Sequence, residues 1–348
     1  MAEHGSLSEG ILVVGPAWVG DMVMAQSLLA TLHERFPHRR IDVLAPAWSL
    51  PLLERMPEVA RAIAQPLGHG RLGLQQRWQQ GRALRDAGYQ QAFVLPNSWK
   101  SALLPWAAAI PQRTGWRGEW RYGLLNDLRK LDPVRYPRMI DRFHALAFAP
   151  GEALPTAPVP RLRVRREQAL ATAVQLHLPL DRPVLAVCPG AEFGPSKQWP
   201  ARHHARVLAQ MIDRGWQAWI LGSAADQGIA DDITQRLRPE QQTHVHRLTG
   251  RTRLEQAVDL LILPRAVLSN DSGLMHVAAA VDPQRLLIAL YGSTSPLFTP
   301  PLAPASRVLR FAVDCSPCFA RDCPLGHHDC MEKLAPEQVL EALACVCY

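Results

Sequence analysis

A chain of 348 residues, 48% hydrophobic and 20% charged, is long for a single core and too apolar for a disordered protein, so two domains are expected. Its net charge of +7 points to an anionic partner: nucleic acid, a membrane surface or a phosphorylated substrate. Met1 to Gly10 is polar, without an apolar signal core, and no apolar run reaches the roughly 18–20 residues of a membrane span. A cytosolic protein is expected, at most resting against a membrane surface.

The chain opens with a β-type run, Ile11–Val14, then a Gly/Pro turn and a helical run, Met22–Arg35. The alternation continues with a strand at Ile41–Leu44, a short helix at Ser49–Met56, a strand at Val59–Ala64 and a helix at Leu72–Ala87. Ala92–Leu95 reads as a strand and Ser98–Ala109 as a helix. This β-α-β-α rhythm predicts a parallel, doubly wound sheet. Between Ala147 and Leu180, prolines at 150, 155, 158, 160 and 179 surround the basic run from Arg161 to Arg166, which predicts a linker with one helix near Glu167–Leu176. The rhythm then restarts, with strands at Val184–Cys188, Ala218–Leu221, Ala266–Ser269 and Leu286–Leu290. Helices fit Ala201–Arg214, Asp226–Leu237, Leu254–Leu263 and Gly273–Ala280. Two such halves predict a cleft between the carboxyl edges of two sheets, where α/β proteins place ligand loops.

Two segments carry the chemistry. Pro189 to Pro200 follows a strand and brings Lys197 to a glycine-containing loop; Trp199-Pro200 then opens a helix, whose N–H groups add to an anion site. Ser269 to His276 places Asp271, Ser272 and Gly273 before another helix, suited to phosphate and sugar hydroxyls. Each feature has a plainer alternative. Lys197 is either a cation for a leaving diphosphate or a solvated lysine. Asp271 and Ser272 are either ligand contacts or helix caps. His276, a lone histidine on an apolar helix, is more often a packed core residue than a catalyst. Asp226 is either a ribose-binding acid or a cap.

Gly15 to Asp21 has the G-x4-G spacing of a phosphate loop but offers Asp21 where such a loop needs lysine. A carboxylate there repels phosphate, so Asp21 is either a general base toward a hydroxyl or an ordinary cap. Trp99, Trp106, Trp116 and Trp120 interleave with Lys100, Arg113, Arg117, Arg121, Arg129, Arg135, Arg138 and Arg142. That mixture suits sugar stacking with phosphate binding, or single-stranded nucleic acid, or a helical surface with some buried tryptophans. Cys315, Cys318, Cys323 and Cys330, with His327 and His328, begin as C-x2-C but match no standard finger spacing, so reduced thiols are favoured over a zinc or iron–sulfur site.

These motifs, from GPAWVGD through PGAEFGPSKQWP, Leu248-Thr249-Gly250, SNDSGLMHVAAA and Tyr291 to Pro296, to the cysteine tail, resemble the ADP-heptose:lipopolysaccharide heptosyltransferases of glycosyltransferase family 9, in order from about residue 11 to 335. The type II enzymes are the nearest in wording. The resemblance implies a GT-B fold of two Rossmann-like domains with parallel sheets facing across a central cleft. An acceptor domain would span 1–165 and a nucleotide-sugar domain 166–335, with a helix over 336–348 packing back on the N-terminal domain. It implies inverting transfer of L-glycero-D-manno-heptose from ADP-heptose to the first heptose of the inner core. The acceptor would be heptosyl-Kdo-lipid A, met at the cytoplasmic face of the inner membrane, with no nucleic acid partner.

By the same resemblance Asp21 is the base and Lys197 the diphosphate clamp. Asp271, Ser272, Gly273, Leu274 and His276 would lie around the donor's heptose and phosphates, with Ser196 and Asp226 as further donor-binding candidates. Trp18, Gly20, Arg117, Arg121 and Arg142 face the acceptor. No cofactor or metal is implied, and the chain contains no Asp-x-Asp. A related enzyme with another acceptor (a different core heptose or a protein), a GT-B-fold nucleotide-sugar epimerase and a basic nucleic-acid-binding protein are the competing readings.

Overall fold

The computed structural model describes residues 9–65 and 73–346, and its contacts divide the chain into two units between Arg161 and Leu162. The first unit holds strands β1 (Gly10–Val14), β2 (Ile41–Pro46), β3 (Arg61–Gln65), β4 (Tyr89–Val94), β5 (Gln112–Trp116) and β6 (Asp127–Arg129). They form one parallel sheet in the order β3-β2-β1-β4-β5-β6. Its helices are α1 (Val19–Arg35), α2 (Leu50–Leu53), α3 (Leu74–Ala83), α4 (Trp99–Ala107) and α5 (Met139–His144). The expected helix over 72–87 begins at Leu72, outside the described residues.

The second unit repeats the plan. Strands β7 (Val184–Cys188), β8 (Gln217–Ile220), β9 (Val245–Arg247), β10 (Ala266–Asn270), β11 (Leu286–Tyr291) and β12 (Ser306–Arg310) pair in parallel in the order β12-β11-β10-β7-β8-β9. Helices α6 (Arg166–Gln175), α7 (Ala201–Asp213), α8 (Gln227–Gln235), α9 (Pro239–Gln242), α10 (Leu254–Leu260), α11 (Gly273–Val281), α12 (Asp329–Glu332) and α13 (Pro336–Ala344) complete it. Counted from its own first strand, each sheet has the order 3-2-1-4-5-6, so each has a switch point beside its first strand, between β1 and β4 and between β7 and β10.

The central strands form because they are continuous apolar runs. β1, β7 and β10 are buried along their whole length, as parallel strands covered on both faces must be. Helix α7 shows the complementary pattern, burying His204, Val207, Leu208, Met211 and Ile212 on one face. β5, β6, β9 and β12 were not expected. β6, β9 and β12 lie at sheet edges and expose much of their length, so they lack the apolar run that marks a central strand.

The final helix also differs from expectation. α13 was expected to pack back on the N-terminal domain. It buries Val339, Leu340, Ala342 and Leu343 in the core of the second unit, against α7 and β11. The reason is its apolar stripe, which continues the cluster formed by Met331 and Leu334 just before it. No helix among the described residues is long and apolar enough to cross a membrane.

Candidate active site

The register of the second sheet sets the site. Ser269 of β10 pairs with Cys188 of β7, so both strands end level and release their loops side by side. Asn270 is fully buried, and its Nδ2 donates to the Pro189 carbonyl at 2.6 Å, stitching the two loops together. At that seam Lys197 Nζ lies 2.6 Å from Asp271 Oδ2 and 3.3 Å from the Asp271 carbonyl. Both side chains are largely buried, at 14% and 4% exposure. Thr294, just past β11, donates its hydroxyl to the same carboxylate oxygen at 2.6 Å. Lys197 is therefore a placed cation and not a solvated lysine.

Ser272 is the N-cap of α11, yet its side chain makes no capping bond; it lies 3.3 Å from the Ser269 hydroxyl. Ser272, Gly273 and Leu274 are half-buried at the helix start, so the first-turn N–H groups lie beside Lys197 and Asp271 at the same strand end. His276, one turn on, is buried, and desolvation pushes its pKa down to about 4, against the opposing pull of Asp271. The imidazole is neutral at neutral pH and able to hydrogen-bond without adding charge.

Two expected residues turn out to have structural duties. Ser196 is 3% exposed; its hydroxyl donates to the Ala320 carbonyl at 2.6 Å and lies 2.9 Å from that of Ser293. Its backbone N–H donates to the Arg321 carbonyl at 3.1 Å. Ser196 thus straps the lysine loop to the cysteine-rich segment, and that strap explains Gly194: a Cβ there would meet the Arg321 carbonyl oxygen at 2.4 Å. Trp199 fixes the far side of the loop, fully buried, with its Nε1 donating to the Leu334 carbonyl at 2.9 Å. Asp226 accepts from the Ser223 N–H at 2.8 Å and hydroxyl at 2.9 Å, in a capping box. Its carboxylate also sits where a Cβ on Gly190 or Gly222 would fall, so it is a cap placed against the first loop of the site.

Sequence reasoning missed Asn270, Thr294 and Phe193 as site builders. The Phe193 ring lies 4.9 Å from Lys197 Nζ and 5.5 Å from the Arg321 guanidinium. Thr294 had one available signal, since β11 neighbours β10 and its carboxyl end must fall beside Asp271.

In the first unit, Gly15 to Asp21 connects β1 to α1 at that sheet's own switch point. Trp18 is the N-cap and Asp21 the third helical residue, so Asp21 is a first-turn acid and not the cap. Trp18 and Asp21 are half-buried, and Gly20 is buried. Arg117, past the end of β5, is exposed. Arg142 is half-buried on α5, where its Nε donates to the Tyr136 carbonyl at 3.0 Å and burial lowers its pKa.

Arg121 corrects the expectation of an acceptor contact. It is 0% exposed and donates to the carbonyls of Pro96 and Trp116 and, at 3.1 Å, to Asn97 Oδ1. Burial pushes its pKa down to about 10. Such a guanidinium binds the loops after β4 and β5 together and is not presented to a ligand. The interleaved tryptophans divide similarly: Trp116 is buried, Trp106 packs against Trp78 with centroids 5.3 Å apart and the rings tilted by 52°, and Trp120 is exposed. In the cysteine segment, the N–H of His328, with those of residues 325–327, holds the Cys323 thiol below its ordinary range. No three His, Cys, Asp or Glu side chains are grouped so as to hold a metal among the described residues.

Residues 77–328 match the family model described as glycosyltransferase family 9 (heptosyltransferase). Over 339 residues the chain is 49% identical to lipopolysaccharide heptosyltransferase 2 of Escherichia coli K12, covering 96% of this chain and 97% of that one. Lipopolysaccharide heptosyltransferase 1 of Pseudomonas aeruginosa is 26% identical, over 90% of this chain and 87% of that one. The structure of E. coli ADP-heptose lps heptosyltransferase II superposes with a TM-score of 0.87 at 46% identity, over 97% of this chain and 98% of that one. The paired doubly wound sheets are those of the GT-B fold.

Proposed function

The chain belongs to glycosyltransferase family 9, the heptosyltransferases, and on that premise we propose that its two switch points divide the work of one transfer. It is a lipopolysaccharide heptosyltransferase of the type II kind, moving heptose from ADP-heptose to the inner core of lipopolysaccharide. The observation that carries the site assignment is the Lys197 ammonium held 2.6 Å from Asp271 at the β7/β10 switch point, beside the start of α11. A cation and helix N–H groups at one strand end suit a diphosphate.

In this reading the second unit takes ADP-heptose. Lys197 and the α11 N–H groups meet the diphosphate, Asp271 and neutral His276 face sugar hydroxyls, and Ser196 and Asp226 shape the loops. The first unit takes the acceptor, a heptose borne on a Kdo-lipid A anchor, at the cytoplasmic face of the inner membrane. Asp21 removes the proton of the attacking hydroxyl. The acceptor oxygen forms its bond to the anomeric carbon as the bond to the β-phosphate oxygen breaks, which inverts that carbon. ADP leaves with the bonding pair, and Lys197 neutralises the charge that grows on it. With that charge met by protein groups, transfer is expected to survive EDTA.

The test pairs transfer with ADP binding. Asp21→Asn keeps size and helix compatibility, so folding and ADP affinity should hold while transfer falls by about 10²–10⁴-fold. Full transfer by a folded Asp21→Asn enzyme would remove Asp21 as the base. An added lipid acceptor that receives no heptose, with the donor sugar isomerised instead, would favour the epimerase reading.

A further inference from the structure

We propose that the amino edge of the second sheet, together with α6, is a docking surface for an anionic lipid bilayer. It lies at the opposite end of that sheet from the Lys197 loop, where β7 and β10 begin. A cavity of about 420 Å³ opens there, lined chiefly by Arg166, Leu170, Leu180, Arg182, Leu263 and Arg265. The chain enters it along the basic run, with Arg163, Arg165 and Arg166 exposed around buried Leu162. Arg163, Arg165, Arg166 and Arg182 have no ion-pair partner among the described residues. Of the acids, Glu167 stands in the first turn of α6, Asp181 on the cavity wall, and Glu255 and Asp259 on α10, which packs against α6.

Charge alone does not separate a bilayer from nucleic acid; the apolar groups do. α6 buries Ala169, Thr172 and Ala173 against its own unit and turns Leu170 and Val174, one helical turn apart, outward. Val174 is 75% exposed, and Leu180 beyond the helix is 45% exposed. Three branched aliphatics thus stand beside the exposed guanidinium groups of Arg163, Arg165 and Arg166. An interface of anionic headgroups and acyl chains accommodates both, with arginines at the phosphates and aliphatics just beneath. Single-stranded nucleic acid calls for stacking rings, and neither α6 nor the cavity lining supplies one. The purpose of such docking rests on the lipid-borne acceptor proposed above; the surface itself does not.

The experiment is flotation of the full chain with vesicles of phosphatidylcholine, with and without phosphatidylglycerol. The protein should float with anionic vesicles only and less so as salt rises. Arg166→Gln with Arg182→Gln should weaken partitioning by roughly fivefold per arginine. Leu170→Gln with Val174→Gln should weaken it as well, without changing the salt dependence. All four positions lie outside the transfer machinery, so melting temperature and ADP affinity should match the parent. If either double variant floats as the parent does, or if neutral vesicles bind equally, the surface is not a bilayer dock. Retention on single-stranded RNA without flotation would assign it to nucleic acid instead. Loss of flotation with ADP binding intact supports the dock whatever the acceptor proves to be.

Discussion

Replacing Lys197 by methionine tests whether the ion pair at the second switch point is part of the fold, part of the chemistry, or both. At 2.6 Å and an effective dielectric near 20, the attraction to Asp271 is about 6 kcal/mol before desolvation is subtracted. Removing one partner leaves a carboxylate 4% exposed that keeps the Thr294 hydroxyl as its side-chain donor but has lost its cation, a situation that costs about 3–5 kcal/mol. For a unit of this size that is a fall in melting temperature of roughly 10 °C. Lys197→Met with Asp271→Asn removes the buried charge and should regain most of that loss. Transfer should not return if Lys197 meets the departing ADP as proposed. Calorimetry gives the melting temperatures, titration the ADP affinity and a radiolabelled-donor assay the turnover. The reasoning fails if Lys197→Met melts within a degree or two of the parent and binds ADP as tightly. It fails equally if the double variant recovers turnover together with stability.

Other outcomes follow from single side chains. Arg121→Leu should cost about 2–4 kcal/mol, since it strips bonds from the Pro96 and Trp116 carbonyls, whereas Arg117→Ala on the exposed neighbouring turn should stay within about 0.5 kcal/mol in denaturant titrations. His204 is fully buried against Trp199, has no hydrogen-bond partner at either ring nitrogen among the described residues, and has its pKa pushed down to about 3 by desolvation. The folded state therefore keeps it neutral while the unfolded chain protonates it near 6.5. Its contribution is complete above pH 6.5 and is lost as pH falls toward 3, at up to about 1.4 kcal/mol per pH unit. His204→Leu should be near neutral at pH 7 and should flatten that acid limb; an unchanged acid limb in melts from pH 7 to 4 would refute it.

Much of the architecture was legible because the central strands of a doubly wound sheet are covered on both faces. Runs such as Ile11–Val14, Val184–Cys188 and Leu286–Leu290 are the apolar stretches that such buried strands need. The edge strands escaped for the converse reason: Ser306–Arg310 carries two arginines because one flank meets solvent. Lys197 and Asp271 were both recognisable as candidates, but their pairing was not, since 74 positions separate them and only the level ends of β7 and β10 bring them together. Asp226 was read as either a ribose-binding acid or a cap, and its carboxylate does accept from the Ser223 N–H and hydroxyl as a cap does. Arg121 was misjudged because interleaved arginine and tryptophan do not say which guanidinium turns inward. That depends on the carbonyls left over at the ends of β4 and β5, which no local pattern encodes.

The strap between Ser196 and Ala320 has a consequence for how the protein is made. The two residues are 124 positions apart, and Trp199 waits on Leu334 over a still longer interval of 135. A ribosome adding roughly 5–20 residues per second leaves the lysine loop without its strap for about 6–25 s after it is synthesised. During that time the β7–β8 pair can form, but the loop that carries Lys197 has nothing to close against. The loop that places Lys197 beside Asp271 is therefore among the last parts of the nascent chain to become complete, and a message truncated before the cysteine-rich segment would yield a sheet with its loop unclosed.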